Sequence, residues 1–181
     1  MRALAMAFCV AMLALGARAE TVDSRHVQLP TDSAWTNEMW MAVETAGIRG
    51  AVWNDLFIVG NRIDLNGSFS NDVWAAGERI EAGGAFADDL RAAARTVRID
   101  APVGGDVLIA AETLKVEAGS RIGGDFTAMA QTAILEGVVD GDVHILCRTL
   151  TLRGEMRGDA TLRAEEIILR DDLRIGGNLV Y

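Results

Sequence analysis

The chain has 181 residues, half of them hydrophobic, with 17 basic and 26 acidic side chains and a net charge of −9. That suffices for one domain with a real core, and the acidity argues against nucleic acid and anionic membranes as partners. Two cysteines and two histidines leave little material for metal or nucleophilic chemistry.

Residues 1–19 stand apart. Arg2 precedes an apolar run over 3–16, and Ala17-Arg18-Ala19 supplies a small-x-small cleavage pattern. The run is short for a membrane span and reads as a secretory signal peptide cut before Glu20, the alternative being an uncleaved N-terminal anchor. Cleavage leaves 15 basic and 26 acidic residues, a net charge of −11. It also leaves Cys147 alone, so no intramolecular disulfide is expected in the exported chain. No lipobox cysteine follows, and no later segment is apolar enough to span a bilayer. The expected location is periplasmic or extracellular, with no transmembrane segment in the mature chain.

Residues 20–36 read as a leader. From 37 to 181 a 17-residue repeat takes over, opened each time by Gly, Asn or Asp and in most units followed by an acid. The openings are Asn37, Asn54, Asn71, Asp88, Gly105, Gly124, Gly141, Gly158 and Gly177, with steps of 19 after Gly105 and Gly158. Counting from the opening, positions 3 and 5 are apolar, position 7 is small, and positions 10 and 12 are apolar pairs such as Ile63/Leu65 and Leu114/Val116. The penultimate position is apolar again, from Val52 and Phe69 to Ile175. Alternation within each stretch has the strand period. Three short stretches per unit, separated by corners, describe one turn of a single-stranded parallel β-helix, an all-β solenoid of about eight turns with like residues stacked on like. Gly, Asn and Asp at position 1 suggest left-handed backbone there. A small position 7 suggests backbone running close to the core. The two longer units widen one corner, at 117–121 and 170–174, without disturbing the apolar pattern.

Units of the form found at 105–123, together with the ending Ile175-Gly-Gly-Asn-Leu-Val-Tyr181, resemble those of bactofilins, the polymer-forming cytoskeletal proteins of bacteria. The resemblance covers residues 37–181. It implies a right-handed β-helix that stacks end to end into filaments without nucleotide or other cofactor. Bactofilins proper are cytosolic, so the export signal marks this chain as an envelope-type relative.

Position 2 forms an acidic column: Asp55, Asp72, Asp89, Asp106, Asp125, Asp142 and Asp159. Carboxylates one rung apart repel by about 1 kcal/mol in water-like surroundings, so each needs a turn amide or a cation. Amide acceptance is the expected answer, a divalent-cation stripe the alternative; calcium-binding nonapeptide spacing is absent. No metal or catalytic site is read. His26 precedes the repeats, His144 points outward at position 4, and Cys147 falls in the small inward column, unreactive through burial.

Positions 4 and 6 point outward yet include Trp40, Phe57, Trp74 and Leu108. Such a face binds something, an envelope protein or a glycan, unless Val22, Val27, Leu29 and Trp35 of the leader fold back over its aromatic end. The final Leu179, Val180 and Tyr181 offer an uncapped rung onto which a second copy could stack. Three functions compete: a self-associating envelope scaffold forming homo-oligomers or filaments, a binding or adhesin module presenting the aromatic face, and a polysaccharide-acting enzyme. The last lacks any cluster of outward acids or bases beyond the regular ladder.

Overall fold

The computed structural model describes residues 20–181; the signal-peptide reading of 1–19, with Cys9, lies outside them. The described chain is all strand, turn and bend, wound into a parallel β-solenoid of nine turns. Each turn contributes one ten-residue strand and one two-residue strand. In chain order they begin β1 (Glu20–Leu29), β2 (Ala34–Trp35), β3 (Met39–Ile48), β4 (Ala51–Val52), β5 (Leu56–Leu65), β6 (Ser68–Phe69), β7 (Val73–Ala82), β8 (Ala85–Phe86), β9 (Leu90–Ile99) and β10 (Pro102–Val103). They continue as β11 (Val107–Val116), β12 (Arg121–Ile122), β13 (Phe126–Leu135), β14 (Val138–Val139), β15 (Val143–Leu152), β16 (Glu155–Met156), β17 (Ala160–Leu169), β18 (Arg174–Ile175) and β19 (Leu179–Val180). The long strands with β19 form a ten-stranded sheet, and the short ones a nine-stranded sheet, each in strict sequence order. At about 4.8 Å per strand, ten strands make a rod roughly 43 Å long.

Two of the three expected stretches are one bent strand. Positions 3 and 5 point inward, then positions 10 and 12 do, a switch from odd to even that a straight strand cannot make. The bend falls at position 8. There the pairing register skips a residue on every rung, for example Asn61 opposite Glu78 and Arg95 opposite Glu112. Position 7 lies just before it, and a Cβ on Gly77 would come within 3.0 Å of the Gly60 carbonyl oxygen. Close backbone approach therefore sets the small column, as the pattern suggested.

The core is the set of stacked columns. Leu56, Val73, Leu90, Val107, Phe126 and Val143 succeed one another at position 3, all fully buried. On the short sheet Phe69 stacks on Phe86 with ring centroids 4.7 Å apart, worth about 1 kcal/mol beyond the area buried. Cys147 is buried in this interior, and desolvation pushes its thiol pKa up.

Residues 20–36 are not a leader. β1 pairs with β3 from Glu20↔Met39 to Leu29↔Ile48, and β2 with β4. This makes a further turn, so the solenoid begins at least seventeen residues before 37. Val27, Leu29 and Trp35 pack against the core as members of its columns, not over the outer face. The turn escapes the pattern because Glu20 stands where other units have an apolar residue and its step is 19, not 17. Three turns thus share the widened corner. Each closes it with the same backbone bond, Ser33 to Pro30 (3.1 Å), Ser120 to Glu117 (3.0 Å) and Leu173 to Arg170 (3.0 Å).

The middle one is best anchored. The buried Ser120 hydroxyl donates to the Ile99 carbonyl and accepts from the Ala101 amide. Glu117 takes Lys115 at 2.8 Å and Arg98 at 2.7 Å. Lys115 first, then Arg98, hold the Glu117 carboxylate below its ordinary value of 4.5. A carboxylate depressed in the fold stabilises above its unfolded pKa and loses that contribution as pH falls through the folded value. Glu117→Gln therefore lowers the urea midpoint at pH 7, and the gap to wild type should narrow as pH falls below the ordinary carboxylate range and through the folded pKa of Glu117.

Candidate functional site

Position 1 opens each turn beside the acidic column, and its backbone is not left-handed. Among the described residues the one positive φ belongs to Gly154 (92°), at the corner before a short strand. Glycine stands at position 1 for space. A Cβ on Gly105, Gly124, Gly141, Gly158 or Gly177 would come within 3.0 Å of the aspartate Oδ1 one turn below.

That oxygen accepts from the amide of the next aspartate. The Asp106 amide donates to Asp89 (2.6 Å), Asp125 to Asp106, Asp142 to Asp125 and Asp159 to Asp142 (2.8 Å each), and Asn178 to Asp159 (2.7 Å). The same residues lend their carbonyls to position 3 of the turn below, as in Val107 N–H to Asp125 O at 2.8 Å. The amide answer to stacked charge thus holds along the C-terminal half of the rod.

In the N-terminal half, Asn71 and Asp88 carry a Cβ at position 1, which fills the place the carboxylate oxygen needs. Asp72 is answered instead by Arg91, whose guanidinium lies 2.8 Å away and also takes the second oxygen of Asp89 at 2.5 Å. Partial burial pulls the Arg91 pKa down, but Asp72 and then Asp89 more than offset it and hold it above its ordinary value. Asp72, Asp88 and Asp89 could bring carboxylate oxygens within 4.8 Å of one another. Arg91 already occupies two of them. Asp55 accepts no such bond; its amide takes the side chain of Asn54.

Arg91 also closes the aromatic column. Trp40 stacks on Phe57 at 4.1 Å, Phe57 on Trp74 at 6.3 Å, and the Arg91 guanidinium sits 4.7 Å from the Trp74 ring centre. Trp40 donates its indole N–H to Glu38. These stacked rings are half-buried, and Trp40 has Thr21 of β1 as its register neighbour on the side away from Phe57. The exposed part of the outer face lies further along, at Leu108 (48%), Met129 (57%) and Leu146 (50%). Met129 and Leu146 are register neighbours at position 6, the outward position that continues the apolar face beyond Leu108. Trp53, in the final corner of its turn, is also exposed and belongs to no apolar column.

The two histidines are far apart. His26 on β1 bonds the Thr45 hydroxyl at 2.7 Å, and His144 on β15 stands between Thr127 and Thr161. Seven rungs, about 34 Å, separate them. At the C-terminal end β19 covers only Ala160 and Thr161 of β17. Leu169, whose equivalents Leu152 and Leu65 are fully buried, is 49% exposed, and Tyr181 is 86% exposed. Counting which positions have a rung above them would have added Leu169 to Leu179, Val180 and Tyr181. Among the described residues no helix is long and apolar enough to cross a membrane.

No family model, no curated protein and no solved structure matches this chain.

Removing one ladder carboxylate strands the amide above it. Asp125→Ala should cost about 1 kcal/mol, while Asp125→Asn, which keeps an acceptor oxygen, should cost less; denaturant unfolding distinguishes them. Arg91→Met removes the clamp on Asp72 and Asp89, so its loss in melting temperature should be larger at low ionic strength than in 0.5 M salt, where repulsion is screened within roughly 4 Å.

Proposed function

We propose that the protein is a non-enzymatic structural scaffold of the bacterial envelope, an exported relative of bactofilins, whose solenoids join end to end. The carrying observation is the last rung. Leu169 is half exposed in a column otherwise dry, and the backbone edge of β17 beyond Thr161 has no strand above it. An open sheet edge with apolar side chains is a template for another strand. At the other end, β3 is the one strand that pairs with β1 among the described residues, which leaves an edge of the same kind there. Two distinct ends give heterologous contacts that grow filaments, whereas like ends close as dimers.

The absence of catalysis in this reading is supported by what several reactive groups already do: the aspartates from Asp89 to Asp159 hold amides, Cys147 is buried, and His26 bonds a threonine. A binding or adhesin role remains the second reading, favoured by the exposed Leu108, Met129 and Leu146. The column of Trp40, Phe57 and Trp74 is largely spent on its own stacking.

Sedimentation velocity and negative-stain microscopy test the scaffold. Wild type should form rods longer than one molecule at micromolar concentration. Leu169→Glu, Leu179→Glu or Tyr181→Glu should raise the concentration needed for assembly by at least about tenfold, because a charge would enter an apolar joint. Trp40→Ala should leave assembly intact. A wild type that stays monomeric throughout would overturn this function.

A further inference from the structure

The outer side of the long strands just past their bend carries a groove of about 590 Å³, running along the rod across five turns from Thr45 to Thr113. Its walls bring three arginines and two glutamates together in a chain whose net charge is −9. The charges are unequally used. Arg95 lies between Glu78 at 3.8 Å and Glu112 at 3.3 Å, so its charge is fully taken up there and that end of the groove is left one charge negative. Arg79 reaches only Glu81, at 3.5 Å, on the groove's outer side. Arg62 makes no ion pair among the described residues, although Asp64 stands two positions along the same strand face.

Arg62 and Arg79 are direct register partners on β5 and β7. Strand spacing puts their backbones about 4.8 Å apart, and like charges placed opposite each other work against the fold. Further along this column Thr96, Thr113, Thr132 and Thr149 succeed one another as neutral residues with no such conflict. Two exposed guanidinium forks one rung apart match the oxygens of a carboxylate, phosphate or sulfate, which arginine binds in bidentate fashion. The hydroxyls of Thr45 and Thr96 and the amide of Asn61 flank them and suit neutral hydroxyl groups. A short sugar chain bearing carboxylates fits both the arginine pair and its hydroxyl-rich surround, while the net charge of −9 disfavours a long polyanion such as nucleic acid.

We propose that this groove binds an acidic oligosaccharide, with one oxyanion held between Arg62 and Arg79. This does not depend on end-to-end assembly. The test is calorimetric titration of the full chain with trigalacturonate, beside maltotriose and inorganic phosphate. Trigalacturonate should bind with a millimolar or tighter Kd, and maltotriose should not. Arg62→Gln and Arg79→Gln should each weaken trigalacturonate at least tenfold, and added salt should weaken it too. Melting provides the second readout: because Arg62 stands against a like charge, Arg62→Gln should melt at or above the wild-type temperature. Absence of trigalacturonate binding, or binding that survives both substitutions, overturns the site. Phosphate binding without trigalacturonate binding overturns the sugar and leaves a free-anion site. A lower melting temperature for Arg62→Gln would mean that the arginine serves the fold.

Discussion

In-register stacking is the constraint on which everything else in this molecule rests. Each turn lies on its predecessor at one strand spacing, so every residue has a chemically equivalent neighbour above and below. Apolar columns profit from this arrangement and make the core. Charged and aromatic columns must find a way to tolerate their own kind at less than 5 Å, and most of the specific chemistry of the chain consists of such solutions.

Three are visible. The aspartate column passes each carboxylate to the amide of the next turn, which works only where position 1 has no Cβ, from Gly105 onward. Before that point Arg91 does the same task from one turn above, drawing in Asp72 and Asp89 while its guanidinium lies over Trp74. The aromatic column makes the repetition favourable, since stacked rings hide each other from water. The Arg62–Arg79 pair is the case left unresolved inside the fold, and for that reason it is the place where a ligand has most to offer.

Length variation is confined to one of the two corners where the backbone leaves both sheets, the one that does not carry the aspartate ladder. A two-residue insertion at position 13 is closed by its own turn bond and, near Ser120, by a buried hydroxyl that replaces the missing backbone partners. An odd insertion in the ten-residue strand would move every later side chain to the opposite face, and an even one would still break the stacking register. The ends of the rod are the other departure from regularity. Columns buried everywhere else come to the surface at Leu169, and a scaffold that grows by stacking would use that exposure.

The repeat period, the apolar columns, the corner insertions and the aspartate ladder were legible in the residues, because stacking turns one-dimensional periodicity directly into three-dimensional neighbours. Cys147 in the interior and the amide-bound aspartates followed from the same logic. Other features depended on which atoms meet across turns. Nothing in Glu20 or Arg18 marks residues 20–36 as another turn; hydrogen bonding to β3 does, and backbone pairing is indifferent to side-chain pattern. Glycine at position 1 suggested a left-handed backbone, but the cause is an oxygen sixteen or eighteen residues earlier in the chain. Arg91 looked like an interruption of the aromatic face until its partners, Asp72 and Asp89, were placed beside it. The sequence by itself determined which residues share a column. Only the tertiary structure decided how each column meets the one beside it, since that depends on the bend at position 8 and on distances no period encodes.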